Sequence, residues 1–379
     1  FDNVFLWNPA MTQIFFASNR NVVAETSATG AVFGDRFNAD GPQCFRVGMT
    51  EVALKGDPLD DNAWSVGATR LYKEKLDDTM PKGARLGSSK LFDDLRALLR
   101  KEVVDVVIYL HGFANDFQNS AIRAAALEKL YGAGEKKIMV VLFSWPSNGR
   151  VQPAWNYFSD REDAEASGLA MGRALKKLVD FLTEMREADQ GAILAARQAG
   201  RVPSPDELRQ CTRRLHVLAH SMGNWALRHA IRKFIELNDS RVPRVFDSAF
   251  LMAADEDHDA LQLPLKLKPL DQLANKVFVY HAANDVALTI SDTTKGMPNR
   301  LGSDGPQNLD LVSERVMAID CTGISKTEIA HGRHQYYRLR PEVFRDVQAT
   351  LADRPQDDRP WRETFRPGRS WRLPPSPGG

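Results

Sequence analysis

The sequence is short of several features that would narrow its class. It has three cysteines, Cys44, Cys211 and Cys321, spread far apart along 379 residues. They offer neither paired zinc-ligand spacing nor a disulfide framework, which favours a reducing compartment. No apolar run is long enough to span a bilayer, so no membrane span is expected. Charge of one sign is not in excess: 50 lysines and arginines face 49 aspartates and glutamates, a net +1. That balance argues against nucleic acid as a partner. The first twenty residues are partly apolar but broken by Asn8, Pro9 and Gln13. They lack a basic start and a small-residue cleavage site, so they are not read as a signal peptide, and a cytoplasmic location is expected. There are no internal repeats.

What remains is an ordinary globular composition, 43% hydrophobic and 26% charged, with ample apolar residues for a large core. Residues 13–54 carry short strand-like runs separated by turn residues, the antiparallel start of a larger sheet. Residues 87–102 have leucines at helical spacing. Strands and helices then alternate. Strands are expected at 103–110, 138–145, 216–220, 245–254, 276–282 and 315–321, and helices at 120–130, 161–182, after residue 221 and at 341–351. This alternation predicts an α/β fold with a mostly parallel central sheet and helices on both faces. A single domain is expected over 1–350, with a surface insertion at 184–213 and a long loop at 291–308 near the active site. Residues 351–379 read as an extended tail rich in proline and arginine. From Arg359 onward it carries five arginines against one glutamate; it is read as irregular chain packed on or trailing from the body, with contact to a partner or an anionic surface as the alternative.

Ser-x-Gly occurs five times, at Ser65, Ser147, Ser221, Ser303 and Ser376. Context singles out Ser221. It follows the buried-strand run Leu215, Val217, Leu218, Ala219, and it precedes Leu227, Ala230, Ile231 and Phe234 at helical spacing. A serine at such a strand-to-helix turn, with small residues on either side, is placed as a nucleophile. Ser65 has the same five-letter pattern but follows Asp60-Asp61-Asn62, which is no buried strand.

A serine nucleophile needs a histidine base and a carboxylate that orients it. On this architecture both come later in the chain, in the order acid then base. Asp285, after the strand 276–282, is preferred to Asp255 in "AADEDHD". The run "DEDHD" is read as a solvated loop rather than a metal site. His331 and His334 form the only late histidine cluster. His111, His216, His220, His229, His258 and His281 precede these strands and suit structural or pocket-lining places. Donors for a developing oxyanion are expected from the backbone N–H groups of Phe113, in "HGFAND", and Met222. His111, Gly112, Phe113, Trp145, Trp155, Tyr157 and His220, with the 291–308 loop, are expected to line the pocket. No metal and no cofactor is expected.

The motifs "IFFASNR", "YLHGFANDF", "FSWPSNG", "YFSDREDAEAS", "LAHSMGN", "NDVAL" and "HGRHQYY" cover roughly residues 13–350. In them the chain resembles the α/β-hydrolase superfamily, and within it the bacterial branch known as the domain-of-unknown-function 900 hydrolases. The resemblance implies the triad Ser221, Asp285 and His334. The choice of His334 comes from "HQYY", which matches the family's His-x-aromatic-aromatic ending. Little is implied about substrate. The expected activity is hydrolysis of small-molecule carboxylic esters through an acyl-enzyme, with no large cap domain over the site. The alternatives are amide or thioester chemistry or acyl transfer on the same triad, and a non-catalytic binding module. The oligomeric state is left open.

Overall fold

The computed structural model describes residues 11–72, 87–102, 104–150, 155–210, 212–289, 299–326 and 329–376. The side chains of Trp155, Arg209, Gln210 and Ala330 lie outside that description, as does Cys211. Thirteen strands form one sheet. In chain order they are β1 Met11–Ser18, β2 Arg20–Thr26, β3 Gly30–Phe37, β4 Arg46–Leu54, β5 Trp64–Tyr72, β6 Asp105–Leu110, β7 Ile138–Ser144, β8 Leu215–His220, β9 Phe246–Met252, β10 Ala274–His281, β11 Val316–Asp320, β12 Glu363–Arg366 and β13 Ser370–Arg372. Across the sheet the order is β12-β13-β11-β10-β9-β8-β6-β7-β1-β4-β5-β3-β2. From β13 to β1 every neighbouring pair is parallel. The N-terminal strands β4 and β5 extend the sheet antiparallel from β1.

The central strands read as unbroken apolar runs because both of their faces are covered. In β6, Val106, Ile108 and Leu110 pack under the helices Gly87–Lys101, Gly168–Gln198 and Gly223–Leu237. Val107 and Tyr109, on the opposite face, pack against the helices Phe117–Tyr131 and Pro341–Leu351. Period-2 alternation thus assigns each residue of the strand to one of two cores.

Three expectations need correction. The helix expected over 161–182 is two helices, Trp155–Ala166 and Gly168–Gln198, parted at Ser167. There the chain is pinned by bonds from the Ser167 hydroxyl to Asp163 O and from Asn19 Nδ2 to Ser167 Oγ, and a Cβ on Gly168 would lie 2.8 Å from that of His229. The insertion at 184–213 is largely the continuation of the second helix, whose polar outer face gives no sign in sequence of belonging to the body. The third correction concerns the tail.

The tail does not trail away. Its strand β13 pairs in parallel with β11, and β12 folds back on β13. The arginines that suggested an external partner serve an internal one. Arg359 and Arg362 converge with Tyr280 and Trp361 on Asp346 of the last helix. Asp346, Arg359 and Arg362 are almost wholly withdrawn from solvent. Removing one partner of such a set strands the rest as buried charge, at a cost of about 3–5 kcal/mol. Asp346→Ala should therefore lower the unfolding free energy by that amount in urea titrations. A loss below about 1 kcal/mol would show that apolar packing of Trp371 alone holds the tail.

Candidate active site

Ser221 sits between the last residue of β8 and the helix Gly223–Leu237, with φ at +54°. For a non-glycine residue this left-handed conformation is strained. It is held by bonds from Ser221 N–H to Met252 O, and to Ser221 O from the N–H groups of Asn224 and Asp255 and from Asn224 Nδ2. The glycine two residues on is required. A Cβ on Gly223 would lie 2.5 Å from Leu110 O and 2.7 Å from His111 O. Ala219 fits where a smaller residue was expected and is fully buried. Ser65, by contrast, is exposed on the antiparallel strand β5, paired with Ala53.

Asp285 follows β10 and is fully buried. One carboxylate oxygen accepts the Leu288 N–H at 3.1 Å, and the other meets His334 Nδ1 at 2.6 Å. His331, three residues earlier, is exposed and lies in a short helical turn. The aromatic pair after the base explains its motif. Tyr336 donates to Tyr280 O of β10. Tyr337 meets the hydroxyl of Tyr109 in β6 and accepts from Tyr131 at its carbonyl. Both rings are core residues that tie the His334 turn to the sheet.

His220 links the base to the serine. Its Nε2 bonds to His334 O at 3.0 Å, and its ring stacks on Tyr337 at 4.1 Å. Burial keeps the ring neutral, well below the ordinary histidine pKa. With one proton, Nε2 is the donor and Nδ1 is bare, and among the described residues Nδ1 has no partner. His220 is thus buried between the carbonyl of His334 and the ring of Tyr337.

Gly112 stands directly over the serine: a Cβ there would lie 2.9 Å from Ser221 Cβ and 3.0 Å from His220 O. Among the described residues, the backbone N–H groups of Phe113 and Met222 donate to nothing. Met222 also caps the helix Gly223–Leu237, whose N-terminal dipole favours negative charge at that point.

Other expected lining residues are placed differently. His111 and Trp145 are fully buried and stacked at 4.9 Å beneath the 112–116 loop. Trp145 N–H donates to His111 Nε2, so His111 Nδ1 donates to Gly112 O. Both are scaffold. The side chain of Trp155 lies outside the described residues. Tyr157 lies edge-on to Phe113 at 5.6 Å.

The "DEDHD" run is solvated only in its second part: Asp255 and Glu256 are buried, and Asp257, His258 and Asp259 are partly exposed. Asp255 accepts the Tyr157 hydroxyl at 2.5 Å, beside the guanidinium of Arg300 at 3.8 Å and of Arg161 at 4.0 Å. Glu256 is buried beside Arg228 and is pushed up to about 7 by that burial. Asp257 and Asp259 share Lys266. Among the described residues no group of three or more potential ligands is arranged to hold a metal, and no helix is long and apolar enough to cross a membrane. Residues 291–298 of the expected loop lie outside the described residues. Residues 299–308 run along the chain that follows β9. Leu301 and Gly302 N–H bond to Glu256 O and Ala254 O, and Arg300 is 1% exposed, so this half is anchored rather than free.

Residues 89–199 and 207–354 match a family model described as "Alpha/beta hydrolase of unknown function". No curated protein matches the chain. Among solved structures, a crystal structure described as a "putative hydrolase" from Legionella pneumophila matches with 10% identity and a TM-score of 0.28, over 84% of this chain and 87% of that one. A likeness so slight bears on neither fold nor activity.

The close approach at Gly223 is directly testable. Its neighbours are backbone carbonyls, which cannot rotate aside, and overpacking of this kind costs about 1–3 kcal/mol. Gly223→Ala should lower stability by that amount in chemical denaturation. An unchanged midpoint and slope would mean that the elbow is looser than described.

Proposed function

The chain belongs to this α/β-hydrolase family of unknown function, and from that membership we propose that it is a serine hydrolase of carboxylic esters, with Ser221, His334 and Asp285 as its triad. The observation that carries the reading is the 2.6 Å bond between Asp285 and His334, in a turn that His220 ties to the nucleophile elbow. In this reading Ser221 Oγ attacks the acyl carbon and His334 Nε2 takes its proton. Asp285 accepts from Nδ1, which fixes the tautomer and stabilises the imidazolium as it forms. The N–H groups of Phe113 and Met222 face the oxygen that becomes negative. His334 then returns the proton to the leaving alcohol, and a water activated by the same ring releases the acid.

Esters are favoured over amides in this proposal because an alkoxide or phenolate leaves the tetrahedral intermediate more readily than an amine, so that less is asked of the proton that His334 returns. A panel of p-nitrophenyl esters and matched anilides checks this directly. Esters should be turned over and anilides should not, and faster anilide cleavage would move the assignment to amide chemistry.

Members of such a triad act as a unit. Ser221→Ala should remain folded, lose labelling by a fluorophosphonate probe and lose turnover by several orders of magnitude, while Ser65→Ala should behave as the parent. Labelling that persists in Ser221→Ala would place the nucleophile elsewhere.

The acid and base can be separated from their neighbours in the same assay. Asp285→Asn should cost on the order of 10⁴ in kcat, as in other triads, and His334→Ala should abolish turnover. His331→Ala should leave the rate nearly unchanged, since that ring is exposed. Asp255→Asn should cost far less than Asp285→Asn. The reverse ranking in side-by-side kinetics would transfer the acid's role to the strand before it.

A further inference from the structure

Three of the motifs that mark this family have no part in the triad: "ASNR" at the end of β1, "SWPSNG" after β7, and "YFSDRED" in the helix Trp155–Ala166. They are more than a hundred residues apart at their extremes, yet they meet beneath residues 112–116. Arg20 is fully buried. Among the described residues no carboxylate lies within ion-pairing distance of it, and its donors go instead to neutral oxygens. Nε bonds to Ser144 Oγ at 2.9 Å, Nη1 to Ser147 O at 3.0 Å and Gly34 O at 3.2 Å, and Nη2 to Asn115 O at 2.6 Å. Burial lowers its pKa to about 10, so it remains charged at neutral pH. Isolated buried charges are costly, and this one is retained by these hydrogen bonds and by the field of Asp116, Asp160, Asp35 and Asp163.

The network continues into the loop itself. Ser147 Oγ accepts the Asn115 N–H at 3.1 Å, and its own hydroxyl donates to Asp160. The backbone N–H groups of Ala114 and Asn148 lie close enough to the Asp160 carboxylate to offset part of the rise in pKa that burial imposes on it. Asn115 turns its amide back to Gly112 O at 3.0 Å and Phe113 O at 2.8 Å. Ala114 has φ at +55°, a strained turn for a residue with a side chain. The peptide units on either side of the Phe113 N–H are therefore fixed from below at both carbonyls, by an Asn115 that Arg20 and Ser147 hold in turn.

We propose that Arg20, Ser147 and Asp160 are positioning residues that hold the Phe113 N–H in place for the oxyanion. This rests on the reading of Ser221 as nucleophile. None of the three touches substrate in this proposal. They act through the strained loop, and a loop misplaced by about 1 Å can cost a hundredfold in rate. Lysine at position 20 would keep the charge but could not copy the guanidinium's fan of bonds.

The test uses Ser147→Ala, Asp160→Asn and Arg20→Lys, with active sites counted by fluorophosphonate labelling. On a p-nitrophenyl ester, kcat per labelled site should fall about 10- to 100-fold while KM changes less than about threefold. Affinity for a phenylboronic acid, whose tetrahedral adduct carries an oxyanion, should weaken in step with kcat. A merely structural role would reduce the number of labelled sites and leave kcat per site intact. That result, or unchanged boronate affinity in variants that fold, overturns the proposal. Ser147→Ala removes only one hydroxyl and carries the test if Arg20→Lys does not fold. The two readings fail differently. A parent enzyme that neither labels at Ser221 nor cleaves esters removes the hydrolase reading and this inference with it. A parent that does both, with variants equal to it per site, removes the inference alone.

Discussion

Everything at this site depends on how little room there is at the end of β8. The chain must leave a buried strand, turn at Ser221 and enter a helix that runs back across the ends of β6 and β8. Gly223 passes so close to the carbonyls of Leu110 and His111 that no side chain fits, and Gly112 passes just as close to Ser221 itself. The positive φ of Ser221 follows from this crowding. Its strain is offset by the bonds that the backbone of Ser221 makes with Met252, Asn224 and Asp255. The crowding also brings the loop after β6 over Ser221, where among the described residues the N–H groups of Phe113 and Met222, from two different segments, donate to nothing.

Asp285 and His334 reach this point from further along the sheet, as the parallel order requires. β8, β9, β10 and β11 are consecutive parallel neighbours, so their carboxyl ends lie along one edge of the sheet. Asp285 leaves β10 and is tied to Leu288. His334 leaves a turn held by Tyr336 on β10 and by Tyr337 on β6. His334 is thus fixed to strands on both sides of β8, the strand that leads into Ser221, and His220 adds a bond to its carbonyl.

The parts that were legible in the sequence are those whose signal is local. An apolar run, a serine and a helical repeat fall within twenty residues around Ser221, so the elbow was readable as a unit. Asp285 and His334 followed from strand order together with a resemblance. What was missed has partners distant in sequence. Arg359 and Arg362 looked like a solvated basic tail because Asp346, which they bind, lies in a different element. Asp255 and Glu256 looked like an acidic loop for the same reason, with Arg300 and Arg228 supplied from elsewhere. Trp145 and His111 were expected at the mouth because aromatic residues near a nucleophile suggest a pocket. Their mutual stacking and full burial make them the floor on which the loop rests. Composition and periodicity record whether a residue is polar, not whether a partner will be buried with it.

One short helix joins the two sides of the site. In Trp155–Ala166, Tyr157, Asp160 and Arg161 fall at spacings of three and four, so they share a face. Asp160 reaches the loop that carries Phe113 through Ser147, whose hydroxyl oxygen accepts the Asn115 N–H. Tyr157 touches the ring of Phe113 and donates to Asp255, whose own N–H bonds to Ser221 O. Arg161 lies 3.4 Å over the ring of Trp225, in the first turn of the helix that starts at the nucleophile. The helix therefore contacts the loop after β6 through Asp160 and Tyr157, and the turn at Ser221 through Tyr157 and Arg161. The spacing between that loop and Ser221 is thus set by the packing of this helix as well as by the sheet, which gives the motif "YFSDRED" a part in the site proposed above although it holds no residue of the proposed triad.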